Sequence, residues 1–300
     1  MHSDELAVSV PTVRGLVEQQ FPHWAGLDVQ RVGGEGTVNA LFRIGDQLVA
    51  RLPLRPGDVA AVRQGLAADA RAARALAGRT RFATPEPVAI GEPGAGYPLP
   101  WAVQTWIPGT TASRADPSAS VAFAHDLAEF IAGVRALGTG GRTFTGTGRG
   151  GNLRAHDEWV QTCLNRSEGL LDVARLRELW NELRDLPRRS PDVMTHSDLI
   201  PGNLLVADGR LTGVLDVGGL GPADPALDLV AAWHLLDAGP RQTLRAALEC
   251  DDLEWARGQA WALEQAVGLV RYYLHSNPTM SLMGRRTIGR ILADPVRRPR

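Results

Sequence analysis

The hydrophobic pattern of this chain shifts near residue 108 from mainly short β-type runs to mainly helical spacing, and that shift constrains its fold more than any other feature. Before it, short apolar runs at 27–32, 38–44 and 47–52 are separated by Gly-containing turns, which is typical of β-hairpins. After it, apolar residues recur mainly at helical spacing. This order predicts an α+β chain in which a small β-rich N-terminal lobe precedes a larger, mainly helical C-terminal lobe.

A Pro-Gly pair predicts where the two lobes divide. Pro108-Gly109 stops the last strand of the first part, so we place the N-terminal lobe at 1–104, the C-terminal lobe at 105–300 and the linker at about 104–109. The first helix of the second lobe is expected at Asp116-Pro117, with Asp116 as its cap. The other elements expected are helices at 11–21, 58–77, 155–168, 172–186, 226–237, 241–248, 253–276 and 281–292, and strands at 88–90, 101–107, 193–195, 204–206 and 211–215.

Charge and cysteine content exclude several classes of protein. The 300 residues carry a formal net charge of −1, whereas a nucleic-acid or anionic-membrane binder needs a basic face. There is no run of 18 apolar residues and no N-terminal signal pattern. The two cysteines lie far apart in sequence, which argues against a disulfide framework. We therefore expect a cytoplasmic protein that binds neither nucleic acid nor membrane.

Lysine is missing from the chain, since all 32 basic residues are Arg. This excludes a Schiff-base mechanism, a P-loop lysine and any lysine that clamps nucleotide phosphates. Phosphate chemistry in this chain has to use Arg, metal ions and backbone amides.

One segment combines residues suited to phosphoryl transfer. It reads Thr195-His-Ser-Asp-Leu-Ile-Pro-Gly-Asn203, with a second aspartate, Asp216, thirteen residues beyond Asn203. Asp198 suits the orientation of an acceptor hydroxyl and removal of its proton. The oxygens of Asn203 and Asp216 suit Mg²⁺, and the hairpin between them brings them to neighbouring strand ends. His196 is expected to pack and fix the loop.

These residues resemble the aminoglycoside phosphotransferase family, the kinases of antibiotics and other small molecules that share the protein-kinase fold. The family's catalytic loop typically reads His-Gly-Asp-x-x-x-x-Asn, and its metal-binding strand ends in Ile-Asp or Leu-Asp, followed soon by Gly and by Asp-Pro-x-x-Asp-Leu. This chain has Leu215-Asp216, Gly218 and Asp224-Pro-Ala-Leu-Asp228-Leu. The resemblance implies a bilobal, kinase-like fold, with ATP or GTP as phosphoryl donor and Mg²⁺ as cofactor.

The resemblance also implies roles for individual residues. Asp198 would be the catalytic base, with Asn203 and Asp216 as the metal ligands. Arg51 would stand where the family has its strand lysine, and Asp69 where it has the helix acid that pairs with this lysine. The other nucleotide-binding residues implied are those of the Gly-rich turn, Gly33, Gly34, Gly36 and Thr37, and those of the linker, Gln104, Trp106 and Ile107.

Two departures from the family pattern bear on activity. Ser197 stands where Gly is usual, and Arg51 replaces Lys. An Arg is also found at this position in macrolide-kinase relatives, and a planar guanidinium can bridge phosphate oxygens, although it is not equivalent to a compact ammonium. We therefore do not interpret Arg51 as a sign of inactivity.

Other polar and aromatic residues are interpreted as structural. Asp224 is expected to cap a helix, and Asp228 is also expected to be structural. A set of acidic residues is open to two interpretations, a pocket for a cationic acceptor or a solvated helix face with caps, and we favour the second: Asp237, Asp251, Asp252, Glu254 and Glu264. The tryptophans of the helical segments are expected in the core: Trp159, Trp180, Trp233, Trp255 and Trp261.

The residues and the resemblance together predict a Mg²⁺-dependent phosphotransferase that acts on a hydroxyl of a small molecule, with an aminoglycoside-like antibiotic as the expected acceptor. A macrolide or another natural product or metabolite is the alternative acceptor. Two hypotheses of other classes stay open: a kinase-fold protein that binds nucleotide or drug without turnover, and a metal-dependent phosphohydrolase. Nucleoside diphosphate release that depends on an acceptor separates the three.

Overall fold

The computed structural model describes residues 5–33 and 38–294, and the chain divides into two compact units. The first comprises Met1–Gly78, Ala83–Pro108 and Leu215–Gly218. The second comprises Arg79–Phe82, Gly109–Val214 and Gly219–Arg300. Each unit thus includes one short segment that is remote in sequence from the rest of it.

A five-stranded antiparallel sheet forms the centre of the first unit. Its strands, in the order β1-β2-β3-β5-β4, are β1 (Val29–Arg31), β2 (Asn39–Ile44), β3 (Leu48–Pro53), β4 (Pro87–Gly91) and β5 (Trp101–Thr105). Alternate residues of β2 are buried, so one face of the sheet covers a core that includes Phe42, Leu52 and Trp101. The register pairs Arg51 with Leu41 and Ala102, which fixes Arg51 in the middle of the sheet.

Two helices complete the first unit. Helix α1 (Val10–Gln20) follows Ser9, whose hydroxyl accepts a hydrogen bond from the Thr12 N–H. Helix α2 (Val59–Leu76) follows Asp58, whose carboxylate accepts from the Ala61 N–H at 2.8 Å. Both helices lie close to the predicted positions.

The second unit is built mainly of helices. They are α3 (Ala112–Ala115), α4 (Val121–Arg135), α5 (Asp157–Asn165), α6 (Val173–Leu183), α7 (Val230–Leu235), α8 (Ala238–Ala247), α9 (Asp252–Tyr272) and α10 (Pro278–Ala293). Helix α9 is buried on all sides from Trp255 to Val270, which makes it the centre of this unit, and α10 packs along it. Among the described residues, no helix has both the length and the apolar character needed to cross a bilayer.

Short strands lie in and beside the segment that contains Asp198 and Asn203. A hairpin is formed by β8 (Leu204–Ala207) and β9 (Arg210–Val214), with β6 (Thr110–Thr111) beside β8. In this hairpin Leu204 pairs with Val214. A separate antiparallel pair is formed by β7 (Val193–Thr195) and β10 (Gly221–Ala223).

Two structural expectations are wrong. Helix α4 begins after Ser120, whose hydroxyl accepts from the Phe123 N–H at 3.1 Å, and not at Asp116-Pro117. Asp116 instead ends α3 with a φ of 44°, a left-handed conformation that a helix start cannot use. Trp159 is 47% exposed, because its ring covers Gly268 of α9 from the solvent side, whereas the other four tryptophans named above are buried.

Candidate active site

A buried carboxylate holds the loop that carries Asp198. Asp228 is 1% exposed and accepts hydrogen bonds from the backbone N–H groups of His196 at 2.8 Å and Ser197 at 2.9 Å. Burial raises the pKa of Asp228, while the two N–H donors and nearby His196 act in the opposite direction. The contacts agree with a structural role for Asp228, namely fixing the backbone just before the proposed base.

His196 fixes the same loop from the other side. Its ring is fully buried, packs edge-on against Phe130 and accepts a hydrogen bond through Nδ1 from the Asp198 N–H at 3.3 Å. These contacts are those of a packing residue, as the sequence predicts for His196.

Ser197 adopts the backbone conformation that explains why the family pattern has Gly here. Its φ is 72°, in the left-handed region that side chains with a Cβ adopt at a cost. Its hydroxyl donates to the Gly219 carbonyl at 3.3 Å. The departure from Gly is therefore accommodated with local strain and a new hydrogen bond.

The carboxylate of Asp198 is 36% exposed and has three polar neighbours. Arg149 Nη2 and Gln265 Nε2 each donate to Oδ1 at 3.3 Å, and Asn203 Nδ2 donates to Oδ2 at 3.1 Å. Asn203 Nδ2 also donates to the Asp198 carbonyl at 3.0 Å. Asp198 and Asn203 are thus brought together as predicted, whereas Arg149 and Gln265 were not identified from the sequence.

A pair of buried side chains near Gly148, Glu264 and His156, was also not identified from the sequence. Glu264 is 5% exposed, and its carboxylate lies 2.9 Å from His156 Nδ1. The other ring nitrogen, Nε2, lies 3.2 Å from the Gly148 carbonyl. Because carboxylate and carbonyl oxygens can only accept, both nitrogens must carry protons for both bonds to form, which makes His156 an imidazolium. The hydrogen bond to Glu264 raises the pKa of His156 accordingly.

In the first unit, Arg51 pairs with Asp216. Arg51 Nη2 donates to Asp216 Oδ1 at 2.7 Å. Asp69, on α2, makes no direct ion pair with Arg51 among the described residues, although Arg51 acts electrostatically to lower its pKa. The net effect on the Asp69 pKa is upward, chiefly because neighbouring atoms desolvate the carboxyl and secondarily because Asp216 repels it. The predicted partner of Arg51 is therefore close by, but its direct partner is the predicted metal ligand.

Only part of the predicted nucleotide-binding turn is described. Gly34, Gly36 and Thr37 lie outside the described residues. Gly33 is exposed, and a Cβ built there would meet no described heavy atom within 4 Å.

The predicted linker residues follow the central sheet. Gln104 belongs to β5, and the Trp106 N–H donates to the Gln47 carbonyl at 2.7 Å. The Trp106 ring packs against the Arg43 guanidinium at 5.6 Å, and Ile107 is half-buried.

Asp224 is tied to the centre of the second unit. It is 2% exposed, caps the turn at Ala226 at 3.1 Å and accepts hydrogen bonds from Arg257 and Trp261. The contacts agree with the cap expected from the sequence and add a buried ion pair that the sequence did not indicate.

The acidic residues considered for a cationic pocket all have partners within the second unit. Asp251 caps α9 through the Glu254 N–H, as the sequence predicts. The ion pairs of the others are Asp237–Arg290, Asp252–Arg245, Glu254–Arg135 and Glu264–His156. The contacts of Asp237, Asp251 and Asp252 agree with a solvated helix face with caps. That interpretation is wrong for Glu264, which is buried against His156, because α9 is enclosed by its neighbours at this position.

A cavity of about 800 Å³ lies next to the segment that carries Arg149. It is lined by residues including Phe144, Gly148, His156, Arg184 and Arg257. Asp198 is not among its lining residues. The cavity therefore borders the segment of Arg149 and does not contain the proposed base.

Comparisons with known proteins identify the family. A profile of the phosphotransferase enzyme family matches residues 28–261. The aminoglycoside 3'-phosphotransferase of Salmonella typhimurium is 34% identical over 87 residues, which are 26% of this chain and 32% of that protein. The enzyme of the same name from Streptomyces fradiae is 40% identical over 85 residues, 24% of this chain and 32% of that protein. The matched stretches thus span about a third of the length of these curated relatives.

Solved structures are similar over nearly the whole chain. The GDP complex of aminoglycoside 2'-phosphotransferase-IIIa superimposes with a TM-score of 0.69 at 18% identity and covers 95% of this chain and 99% of that one. A macrolide 2'-phosphotransferase from Brachybacterium faecium superimposes with a TM-score of 0.58 at 20% identity and covers 97% and 98%. At this identity the likeness confirms the predicted α+β, kinase-like fold. Together with the profile match over residues 28–261, it confirms the resemblance noted in the sequence: the chain belongs to the phosphotransferase enzyme family.

Proposed function

We propose that this chain transfers the γ-phosphoryl group of ATP or GTP to a hydroxyl of a small natural-product antibiotic. An aminoglycoside-like compound is the first acceptor to test, and a macrolide is the alternative. The observation that carries the proposal is the arrangement around Asp198. A carboxylate open to solvent stands on a loop whose preceding backbone is fixed by Asp228, next to the amide of Asn203.

Each residue has a chemical task in this proposal. Asp198 accepts the hydroxyl proton as the acceptor oxygen attacks phosphorus. A base helps only if it is held in position, and the hydrogen bonds that Asp228 makes to His196 and Ser197 do this. In the first unit, Arg51 contacts phosphate oxygens in place of the lysine that the chain lacks. The turn at residues 33–37, with Gln104, Trp106 and Ile107, would hold the rest of the nucleotide.

The residues present suit a magnesium ion. The hydrogen bonds of the Asn203 side chain use its amide nitrogen, so its oxygen is left to act as a ligand. Asp216 uses Oδ1 for Arg51, which leaves Oδ2. These are the hard oxygen donors that Mg²⁺ prefers, and the bound ion would neutralise charge on the phosphates. In the sequence, Asn203 directly precedes β8 and Asp216 lies two residues after β9.

The same ion pair motivates the alternative of a nucleotide-binding protein without turnover, since Arg51 occupies one oxygen of the proposed metal ligand. Both proposals place the protein in the cytoplasm, where nucleoside triphosphates are supplied.

Incubation with a panel of aminoglycosides and macrolides and with either ATP or GTP, read by mass spectrometry, separates transfer from binding without turnover. The gain of one phosphoryl group by an antibiotic supports transfer. Nucleotide binding without any such product contradicts transfer and favours the alternative. Phosphate release without an acceptor favours a phosphohydrolase.

A further inference from the structure

The geometry points to a further catalytic residue, Arg149: we propose that its guanidinium contacts the phosphoryl group as that group reaches the acceptor hydroxyl. This inference rests on the proposed function. Arg149 lies in the Gly/Thr-rich segment between α4 and α5, which no motif marks. Its Nη2 nevertheless lies 3.3 Å from Oδ1 of Asp198, the carboxylate that would accept the proton of the acceptor hydroxyl.

The backbone on both sides of Arg149 is fixed. The carbonyl of Gly148 lies 3.2 Å from His156 Nε2, and the carbonyl of Gly150 accepts from the Asp224 N–H at 2.9 Å. Both hydrogen-bond partners belong to buried residues, since His156 is 9% exposed and Asp224 is 2% exposed. The position of Arg149 is thus set by the interior of the second unit and not by the surface.

Gly150 makes this close approach possible. Its φ is 103°, and a Cβ there would lie 2.7 Å from Cβ of Ala223 and 3.0 Å from Leu227. A glycine is therefore required immediately after Arg149, because any side chain would push the segment, and Arg149 with it, away from Asp198.

Arg149 has donors to spare for a ligand. The only hydrogen bond of its guanidinium among the described residues uses Nη2, whereas Arg carries five N–H donors. The side chain is 28% exposed and the Asp198 carboxylate 36%, so a bound molecule can reach both. Arg257, by contrast, uses Nε and Nη2 for Asp224 and Nη1 for the Leu186 carbonyl.

The Arg149 guanidinium can stabilise negative charge on the phosphoryl group during transfer. The acceptor oxygen forms a new bond to the γ-phosphorus, its proton goes to Asp198, and the bond from phosphorus to the β,γ-bridging oxygen breaks with its electron pair staying on the nucleoside diphosphate. The hydroxyl must contact Asp198, and the transferred group must contact the hydroxyl. A guanidinium already touching Asp198 is therefore within reach of the equatorial phosphoryl oxygens, where it stabilises negative charge.

Variants at residue 149 test this role. Arg149→Ala is expected to lower kcat about 100-fold or more while the KM for nucleotide changes little, because the contact forms in the transition state. Arg149→Lys should recover part of the loss, and added guanidinium ion should partly rescue Arg149→Ala. Arg142→Ala is the matched control, since Arg142 is exposed, lies in the same segment and bonds to the Thr139 carbonyl. Thermal unfolding verifies that each variant is folded.

A second measurement needs no acceptor. The fluoroaluminate complex of GDP or ADP mimics the phosphoryl group in transfer, so its binding should weaken at least tenfold in Arg149→Ala, whereas the diphosphate alone should bind as to wild type. A folded Arg149→Ala that keeps the wild-type kcat, or that binds the fluoroaluminate complex as tightly as wild type does, would overturn the role of Arg149 and leave the proposed function standing. If the wild-type protein binds no nucleotide at all, the proposed function itself is wrong.

Discussion

Arg51 on the central strand of the first unit forms an ion pair with Asp216, with 2.7 Å between Nη2 and Oδ1. The pair is partly exposed, with 20% and 46% of the two side chains accessible, so its contribution to stability is small, at most about 1 kcal/mol. Its importance lies in placing a cation beside the carboxylate proposed to hold magnesium. The family resemblance implies Asp69, and not Asp216, as the partner of Arg51.

Substitutions should separate the two members of this pair. Arg51→Ala is expected to weaken nucleotide binding roughly tenfold or more, because charge-assisted hydrogen bonds to phosphate are lost. Asp216→Asn should abolish the increase in nucleotide affinity that Mg²⁺ produces. Calorimetric titration with a non-hydrolysable nucleotide, with and without Mg²⁺, measures both effects. Arg63→Ala, which removes an arginine of α2 paired with Glu92, is the control and should bind like wild type. Unchanged Mg²⁺ dependence in Asp216→Asn would contradict the metal role.

The backbone at Ser197 gives a prediction about stability. With a φ of 72°, the position should tolerate Gly, which has no Cβ to oppose the left-handed conformation. Ser197→Gly should therefore change the free energy of unfolding by less than about 1 kcal/mol, because lost strain offsets the lost hydrogen bond and the more flexible unfolded chain. Ser197→Val should lower it by roughly 2 kcal/mol, since a β-branched residue resists this conformation most. Denaturant unfolding compares the two, and equal stability of both variants would count against a strained position.

His156 predicts a pH dependence of stability. Its pKa in the folded protein is raised above the ordinary 6.5, chiefly by the hydrogen bond to Glu264. Burial opposes this shift, and so does the charge of Arg149. The stabilisation is therefore fully present below about pH 6.5 and is lost as the pH rises through the raised pKa.

This loss is measured by chemical unfolding at a series of pH values from about 6 to 9. His156→Gln keeps a hydrogen-bonding side chain but does not titrate, so its unfolding free energy should fall less over this range. A wild-type protein that gains stability relative to His156→Gln as the pH rises would show that the imidazolium is not the native form.

Local chemistry explains what the sequence could predict. Gly and Asp turns between apolar runs define hairpins within a few residues, so the strands around Leu204 and Val214 and the caps at Asp224 and Asp251 were found. Asp116 shows the limit of such signals. It has the composition of a helix start, yet Ser120 supplies the cap four residues later.

The neighbours of Asp198 could not be predicted in the same way. Arg149 and Gln265 lie 49 and 67 residues away in sequence, one in a loop and one in the middle of α9. A single polar residue at such a position carries no spacing that points to a partner, and only the tertiary structure brings the two residues to Asp198. The same holds for His156 and Glu264, which are 108 residues apart.

The most direct test of the whole account is the effect of Asp198→Asn on phosphoryl transfer to whichever antibiotic is phosphorylated, measured together with nucleotide affinity. Asn keeps the size of the side chain but cannot accept the proton, so kcat should fall about 100- to 10,000-fold while nucleotide affinity stays within about threefold of wild type. Asp208→Asn, at the exposed turn of the β8–β9 hairpin, is the matched control and should retain full activity. Wild-type turnover in Asp198→Asn would contradict the account.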